Sequence, residues 1–401
     1  MYKFCTDISE QECLQYLQTL PHYNVLQTPM WAQVKPNWTH QIVGVRNENG
    51  ALVATALLLI RKLMPGIRII YSPRGFMVDY HNPELLKTMV NGVLEVAKKR
   101  KAYVVRIDPE IEIAQIYKGQ KVSDEAGIKA MNELKKQGFL HMGFATDFHS
   151  YTQPRFYAEY ALTDDDGQKK TDEQILSGFD KKLKKFIGHY THDRGIFFEK
   201  AENTEQTVDD YVAISAHTEQ RQHILLRDAE YFKRMMQAFG EDMVIYFGKM
   251  NIDLFLQFLQ QQPQNDQTQK DRTEALRIQS ERGNIVPMSA LLFLKSKDTA
   301  YLMYSGFDDS IFPRFRTTNQ IRYEAMRQFR DMGLKTFSFM GIHGDLQDSL
   351  SEFKLKFNPV VKEFAGEFEY PVSKMKYKIM TKIFPFCKTT YLKLVKLFRK
   401  K

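Results

Sequence analysis

One order of segments occurs twice in this chain, and it limits the possible folds more than any single motif does. In the first half, ALVATALLLI (51–60) and RIIYSPRG (68–75) read as strands. PELLKTMVNGVLEVAKKR (83–100) has helical spacing, and AYVVRIDP (102–109) is a strand that ends on Asp108. The second half repeats the series with the strands PMSALLFLKS (287–296) and TAYLMYSG (299–306), a helix over 317–333 and the strand KTFSFMGI (335–342). That second helix starts on threonines and stops at Gly333, which are ordinary start and stop signals. First strand to last spans about fifty residues in both copies, so a duplicated α+β unit is expected.

Two antiparallel strands, a helix and a further strand form the core of the acyltransferase fold used by the GNAT superfamily. A chain of 401 residues is too long for one ordinary core. Many α+β domains contain that order, so two unrelated α+β domains stay open at this point; with the resemblance given below, the expectation is an α+β protein with two tandem GNAT-like domains, at 1–147 and 148–371. Between Glu241 and Val286 the composition changes: DLFLQFLQQQ and RTEALRIQSERG read as helices on either side of Pro263 and a polar turn. This fits a short helical hairpin, 241–286, inserted in the second domain with Gly283 as its stop, better than a linker, with a disordered insertion as the alternative.

The net charge of +9 is local. Residues 372–401 hold ten Lys or Arg and no acid, which leaves residues 1–371 at −1. Within this tail, Thr389–Lys401 sorts into an apolar side (Leu394, Val395, Leu397, Phe398) and a basic side (Lys393, Lys396, Arg399, Lys400). The pattern suits a helix lying on an anionic membrane surface; a solvated tail and a contact with tRNA phosphates stay open. No apolar run approaches the ~20 residues that cross a bilayer. The N-terminal MYKFCTDISEQEC carries acids where a signal peptide has its apolar core, so a cytoplasmic protein is expected, peripheral to the inner membrane face. Cys5, Cys13 and Cys387 lack metal-ligand spacing.

The usual covalent machinery is missing. There is no G-x-S-x-G, H-E-x-x-H, Walker loop or G-x-G-x-x-G, and the ten histidines form no ligand pattern. Direct transfer is the chemistry left, resting on orientation, electrostatics and at most one base.

Six stretches carry a more specific signal: LQTPMWAQVKPNW (26–38), IIYSPRGFMVDY (69–80), VVRIDPEI (104–111), TEQRQHILLRDAEYFKRM (218–235), YLMYSGFDD (301–309) and SLSEFKLKFNPVVKEFAGEFEYPV (349–372). In these stretches, and in their order, the chain resembles the Fem family of peptidoglycan interpeptide-bridge aminoacyltransferases, closest to its MurM/MurN branch. The resemblance implies aminoacyl-tRNA as donor, lipid II as acceptor and the stem-peptide lysine ε-amine as nucleophile, with Ala, Ser and Gly all open as the amino acid moved. It implies no metal and no nucleotide cofactor. Family members often have a longer helical arm than 241–286 can build.

The same resemblance assigns candidate roles. Lys35 and Arg227 match phosphate-contacting positions, with Tyr231 a helical turn after Arg227 and Tyr103 a further precursor contact. Asp108, at a strand end before Pro109, suits a proton acceptor or an orienting group, and a loop cap is as good a reading. Lys354 is placed to polarise the ester carbonyl or hold its oxyanion, against a plain salt bridge. Tyr304 and Glu367 match substrate positions in the second domain, with Glu363 an alternative register. Arg74 and Gly75 shape a turn, and Arg74 is a candidate aid to the precursor site. The cluster KKLKK (181–185) is a solvated helix face or an RNA surface. Two rivals remain: an N-acyltransferase using an acyl thioester such as acetyl-CoA, for which neither half shows the glycine-rich pyrophosphate loop, and an inactive membrane- or RNA-binding relative.

Overall fold

The computed structural model describes residues 1–148, 152–189, 194–222 and 226–383. Its strands in the first part of the chain are β1 (Lys3–Cys5), β2 (Thr39–Arg46), β3 (Leu52–Met64), β4 (Ile67–Ser72), β5 (Ala102–Ile107), β6 (Glu112–Tyr117), β7 (Gln120–Ser123) and β8 (Leu140–His141). The rest are β9 (Phe156–Ala161), β10 (Ile196–Lys200), β11 (Met243–Asn251), β12 (Ile285–Lys295), β13 (Thr299–Phe307), β14 (Thr336–Ile342), β15 (Val360–Phe364) and β16 (Phe368–Pro371).

The contacts separate two units, one of Met1–Gln115, Lys121–Arg155 and Glu363–Lys401, the other of Ile116–Gln120 and Phe156–Lys362. This differs from a cut at 147/148 followed by a second domain running to 371. The reason is β16, which returns to the first unit and pairs antiparallel with both β5 and β8.

The first unit is built on a sheet of order β1-β2-β3-β4-β5-β16-β8. β3 lies inside it, and its apolar run 54–60 is buried on both faces, as an unbroken hydrophobic strand should be. β4 and β5 run parallel, so the chain between them must cross over, and the helix Pro83–Lys99 does so. Asn82 caps that helix by accepting from Leu85 N, Pro83 opens it, and Lys98 and Lys99 sit at the negative end of its dipole. Its Leu85, Leu86, Met89, Val90, Val93, Val96 and Ala97 form one face, buried against Val43, Val45, Ala56, Leu58 and Val105.

The second unit repeats the plan on a sheet of order β10-β11-β12-β13-β14-β9-β15-β6-β7, in which the tip Ile116–Gln120 of the β6–β7 hairpin belongs to this unit. β12 and β13 are antiparallel, the helix Thr317–Asp331 crosses over, and β14 joins β13 in parallel. Only Thr299–Tyr301 pair with Thr336–Ser338. Each unit therefore has the strand–strand–helix–strand core of a GNAT-like acyltransferase, and the chain is α+β throughout.

The helical arm is shorter than 241–286. Met243–Asn251 is the strand β11, paired along its length with β12, and the hairpin consists of the helices Ile252–Gln260 and Asp266–Arg282. Asn251 and Asn265 cap them, and Gly283, at φ 85°, ends the second. Ile252, Phe255, Leu259, Ala275 and Ile278 form a small core with Ile311, Phe312 and Phe315. Among the described residues no helix is long and apolar enough to cross a membrane. The stretch Thr389–Lys401 lies outside the described residues.

Candidate active site

In the first unit the candidates gather around the end of β5. Asp108 is 2% exposed, and its carboxylate accepts three hydrogen bonds: Tyr71 Oη at 2.6 Å, Arg74 N at 2.7 Å and Gln153 N at 2.6 Å. Burial pushes Asp108 above the usual carboxylate range, while Arg74 and the three donors pull it back. Both oxygens are thus engaged in holding the turn after β4, and this geometry is that of a framing group.

Arg74 takes a left-handed backbone (φ 54°), and its buried guanidinium donates to Pro154 O at 2.6 Å and lies over Phe364. It shapes the turn, as the sequence indicates. Tyr71, which donates to Asp108, also has its ring 6.4 Å from that of Trp38. Lys35 is half-buried with its ammonium 4.3 Å from the Trp31 ring centre. Tyr103 is buried in a patch with Trp38, Ile67, Ile69 and Val104, and Tyr377 and Met380 from the C-terminal segment pack against it. Burial raises the Tyr103 hydroxyl above its ordinary range.

Glu367 belongs to this first unit, not to the second domain where the motif order put it. Arg106 pairs with it at 3.0 Å and with Glu369 at 2.5 Å, and Thr152 donates to it at 3.2 Å. Burial moves Glu367 upward, against the pull of Arg106. It lines a cleft of about 50 Å³ with Thr152, Gln153, Arg155 and Gly366. Glu363, the alternative register, is buried and paired with Arg155 at 2.6 Å.

In the second unit Arg227 is exposed, just ahead of the helix Ala229–Phe239 that Asp228 caps. Its guanidinium lies 5.2 Å from the Tyr231 ring, and Tyr304 Oη donates to Tyr231 Oη at a long 3.4 Å. The one-turn spacing of Arg227 and Tyr231 therefore brings the pair together.

Lys354 ends the short helix Ser349–Leu355, is 9% exposed, and donates to Phe339 O at 2.7 Å and Gly341 O at 2.5 Å. Those carbonyls turn toward it because β14 is irregular there: its register against β9 shifts between Ser338 and Gly341, and Met340 has φ 61°. Among the described residues the salt bridge weighed for Lys354 does not form, and its hydrogen bonds go to carbonyls. Burial, with the charge of Arg322 added and that of Asp348 opposing, lowers its ammonium to about 7.

Arg322 is a residue the sequence did not single out. It is buried on the helix Thr317–Asp331, donates to Thr318 O at 2.6 Å and lies over Phe353, next to Lys354 in sequence. Burial lowers it to about 9. Two buried cations side by side are costly unless an anion meets them. No motif marks Arg322, because position 322 reads as one more charged residue on an amphipathic helix. As for metals, His343, Asp345 and Asp348 bring ligand atoms within 4.8 Å of one another, but the Asp348 carboxylate is already engaged by Leu350 N and Ser351 N as a helix cap.

Two units with the GNAT-like core, one carrying a buried ammonium on paired carbonyls, give this chain the tandem fold seen in GNAT-like proteins. The chain belongs to the FemAB family, whose model matches residues 8–276 and 260–383. It is 24% identical to a lipid II:glycine glycyltransferase of Staphylococcus epidermidis, over 94% of this chain and 95% of that protein. A protein of the same name from Staphylococcus aureus is 26% identical over the same shares. Among solved structures, that of FemX matches with a TM-score of 0.77 and 22% identity, covering 94% of this chain and 99% of that one.

Proposed function

We propose that this protein transfers an amino acid from aminoacyl-tRNA to the stem-peptide lysine ε-amine of lipid II, building a peptidoglycan interpeptide bridge. The observation that carries the reading is the match, nearly end to end, to proteins named for glycine transfer to lipid II. The chemistry around Lys354 supports it. The incoming amine attacks the ester carbonyl, a C–N bond forms, and the electron pair moves onto the carbonyl oxygen. That oxyanion then collapses, the C–O bond to the ribose breaks, and the amine's proton leaves with the ribose hydroxyl or to solvent. Lys354, fixed by two carbonyls, donates to the oxyanion; Arg322 adds positive potential at the same place.

In the first unit Lys35 offers a cation to precursor phosphate, with Tyr103 as a contact and Glu367 as an acceptor for an amine; in the second unit, taken by itself, Arg227 offers a cation to phosphate, with Tyr231 and Tyr304 beside it. Asp108 and Arg74 hold the turn that shapes the first unit's site. The basic tail keeps the protein at the anionic face of the membrane that carries lipid II.

The test is transfer of radiolabelled glycine, alanine and serine from their charged tRNAs to purified lipid II. Incorporation from one donor, abolished by RNase pretreatment, is expected. Incorporation that survives RNase, or that needs an acyl thioester, overturns the donor assignment.

A further inference from the structure

Three basic segments meet at one end of the first unit's sheet. They are the turn from β3 into β4 (61–68), the end of the crossover helix leading into β5 (98–101), and the helix Lys374–Lys378 that follows β16. Arg68 lies opposite Ala102 in the sheet and donates to Arg100 O at 2.8 Å. Lys376 donates to Gly66 O at 2.9 Å, and Val372 N and Ser373 N donate to Tyr103 O. Together the three segments hold ten Lys or Arg and no Asp or Glu. Among the described residues none of the ten makes an ion pair with an acid. The side-chain bonds that tie the segments together go to main-chain carbonyls, so the charge stays uncompensated.

Large apolar side chains stand exposed among these cations. Met375 is 71% exposed, more than any other large apolar side chain of the described residues except Met1, and Leu63 and Ile379 are exposed with it. Behind them Trp38, Tyr103 and Tyr377 share one patch, and the Arg61 guanidinium lies 5.6 Å from the Trp38 ring. Aliphatic tips ringed by unpaired cations, with Trp and Tyr just behind, suit the boundary between lipid phosphates and acyl chains. A single-stranded nucleic acid would call for exposed aromatic faces instead. The described residues end at 383, close after this helix, and residues 384–401 add six Lys or Arg and no acid to the same end of the unit.

We propose that this end of the first unit docks on an anionic bilayer. Leu63, Met375 and Ile379 enter among the acyl chains, and Arg61, Lys62, Lys374 and Lys378 meet the lipid phosphates. The proposal rests on the lipid-borne acceptor of the reading above and deepens it by fixing which way the sheet points. β4 and β5 run parallel, away from the docked end. Tyr103 lies at that end, as does Trp38, in the turn that begins at Lys35. Asp108 lies past the other end of β5, about 17 Å along the strand at roughly 3.3 Å per residue. A diphosphate leaving the bilayer thus meets Lys35 and Tyr103 first, and the stem peptide runs along the strands toward Asp108 and Glu367.

The experiment uses the full chain and sucrose-loaded vesicles of equimolar phosphatidylglycerol and phosphatidylcholine, with partitioning read by sedimentation across a salt series. A cation at an anionic surface contributes a factor of roughly five at low salt. Lys62→Gln/Lys374→Gln should therefore weaken partitioning about tenfold or more and flatten its salt dependence. Leu63→Gln/Met375→Gln keeps the charge and should weaken partitioning about tenfold at high salt as well as low, because apolar burial is not screened. All four side chains are exposed, so both variants should keep the wild-type thermal midpoint. Transfer to lipid II in these vesicles should fall with partitioning, while transfer to lipid II in detergent micelles stays normal. Wild-type partitioning by both variants overturns the docking face and leaves the tail as the anchor. Loss of affinity for an RNA stem-loop by the charge variant, with partitioning unchanged, also overturns it and assigns these cations to RNA. The two readings fail separately. A wild type that partitions through this face but moves no amino acid from any charged tRNA to lipid II sinks the transfer reading and leaves the docking. Normal transfer by variants that partition like wild type sinks the docking alone.

Discussion

Asp108 meets three donors with two oxygens, and an amide in its place must turn a nitrogen toward at least one of them. Asp108→Asn should therefore lower stability by about 1–3 kcal/mol. Thermal unfolding checks this. Turnover, corrected for folded fraction, should fall less than tenfold, whereas a loss of about 10²-fold or more at unchanged stability would identify Asp108 as a base. Lys354 gives a pH prediction with a definite sign. Its ammonium loses its proton near pH 7 in the fold and near 10.5 in the unfolded chain. The unfolded state thus binds more protons between those values, and wild-type stability should rise relative to Lys354→Met from pH 7 to 10, with no relative change below pH 6. Activity runs the other way: if the cation holds the oxyanion, kcat/KM should fall as pH rises through 7 to 8. A rate that climbs through this range would make the neutral amine the working form. Arg74 and Lys354 stood out in the sequence because YSPRG (71–75) and FKLKF (353–357) are compact motifs, and Asp108 because it ends a strand just before Pro109. Tyr71 lay inside a motif without a visible task, and Arg322 lay in none. What distinguishes Arg322 is burial with no acid paired to it among the described residues, which only the packed structure reveals.

At the scale of elements, periodicity was a good guide wherever a segment had one buried face. Both crossover helices and the paired strands before them fall where the apolar spacing puts them. β11 was missed because its sequence, MVIYFGKMN, runs straight into the apolar helix Ile252–Gln260, and a short apolar run does not separate strand from helix. The hairpin that follows has its own core, in which the Phe255 ring packs edge-on against Phe312 and Phe315. Arg314 ties the same loop to the arm through Asp271. Phe255→Ala should cost about 3–5 kcal/mol locally. The cut should appear first in the 308–316 loop under limited proteolysis, ahead of global unfolding. Coincident loss of both would show that arm and sheet unfold as one body.

For the whole molecule, the duplication was legible and the path of the chain was not. A strand of four residues, β16, carries no more signal than a loop, yet it completes the first unit's sheet. The segment after it is also fixed there: Tyr377 donates to Glu369 at 2.5 Å and Lys376 to Gly66 O at 2.9 Å. A truncation meant to test the basic tail should therefore begin at 384. Deleting 384–401 should leave the thermal midpoint unchanged and reduce partitioning onto anionic vesicles, most clearly at low salt. Unaltered partitioning would remove the membrane role of the tail.

The late return of β16 has a consequence for how the protein is made. On the ribosome the open side of β5 emerges early and must wait while the whole of the second unit is synthesised. The usual order, in which the N-terminal domain finishes first, is reversed here. Until release, the nascent chain carries an unpaired sheet edge of the kind that chaperones bind and that neighbouring chains can mistake for their own.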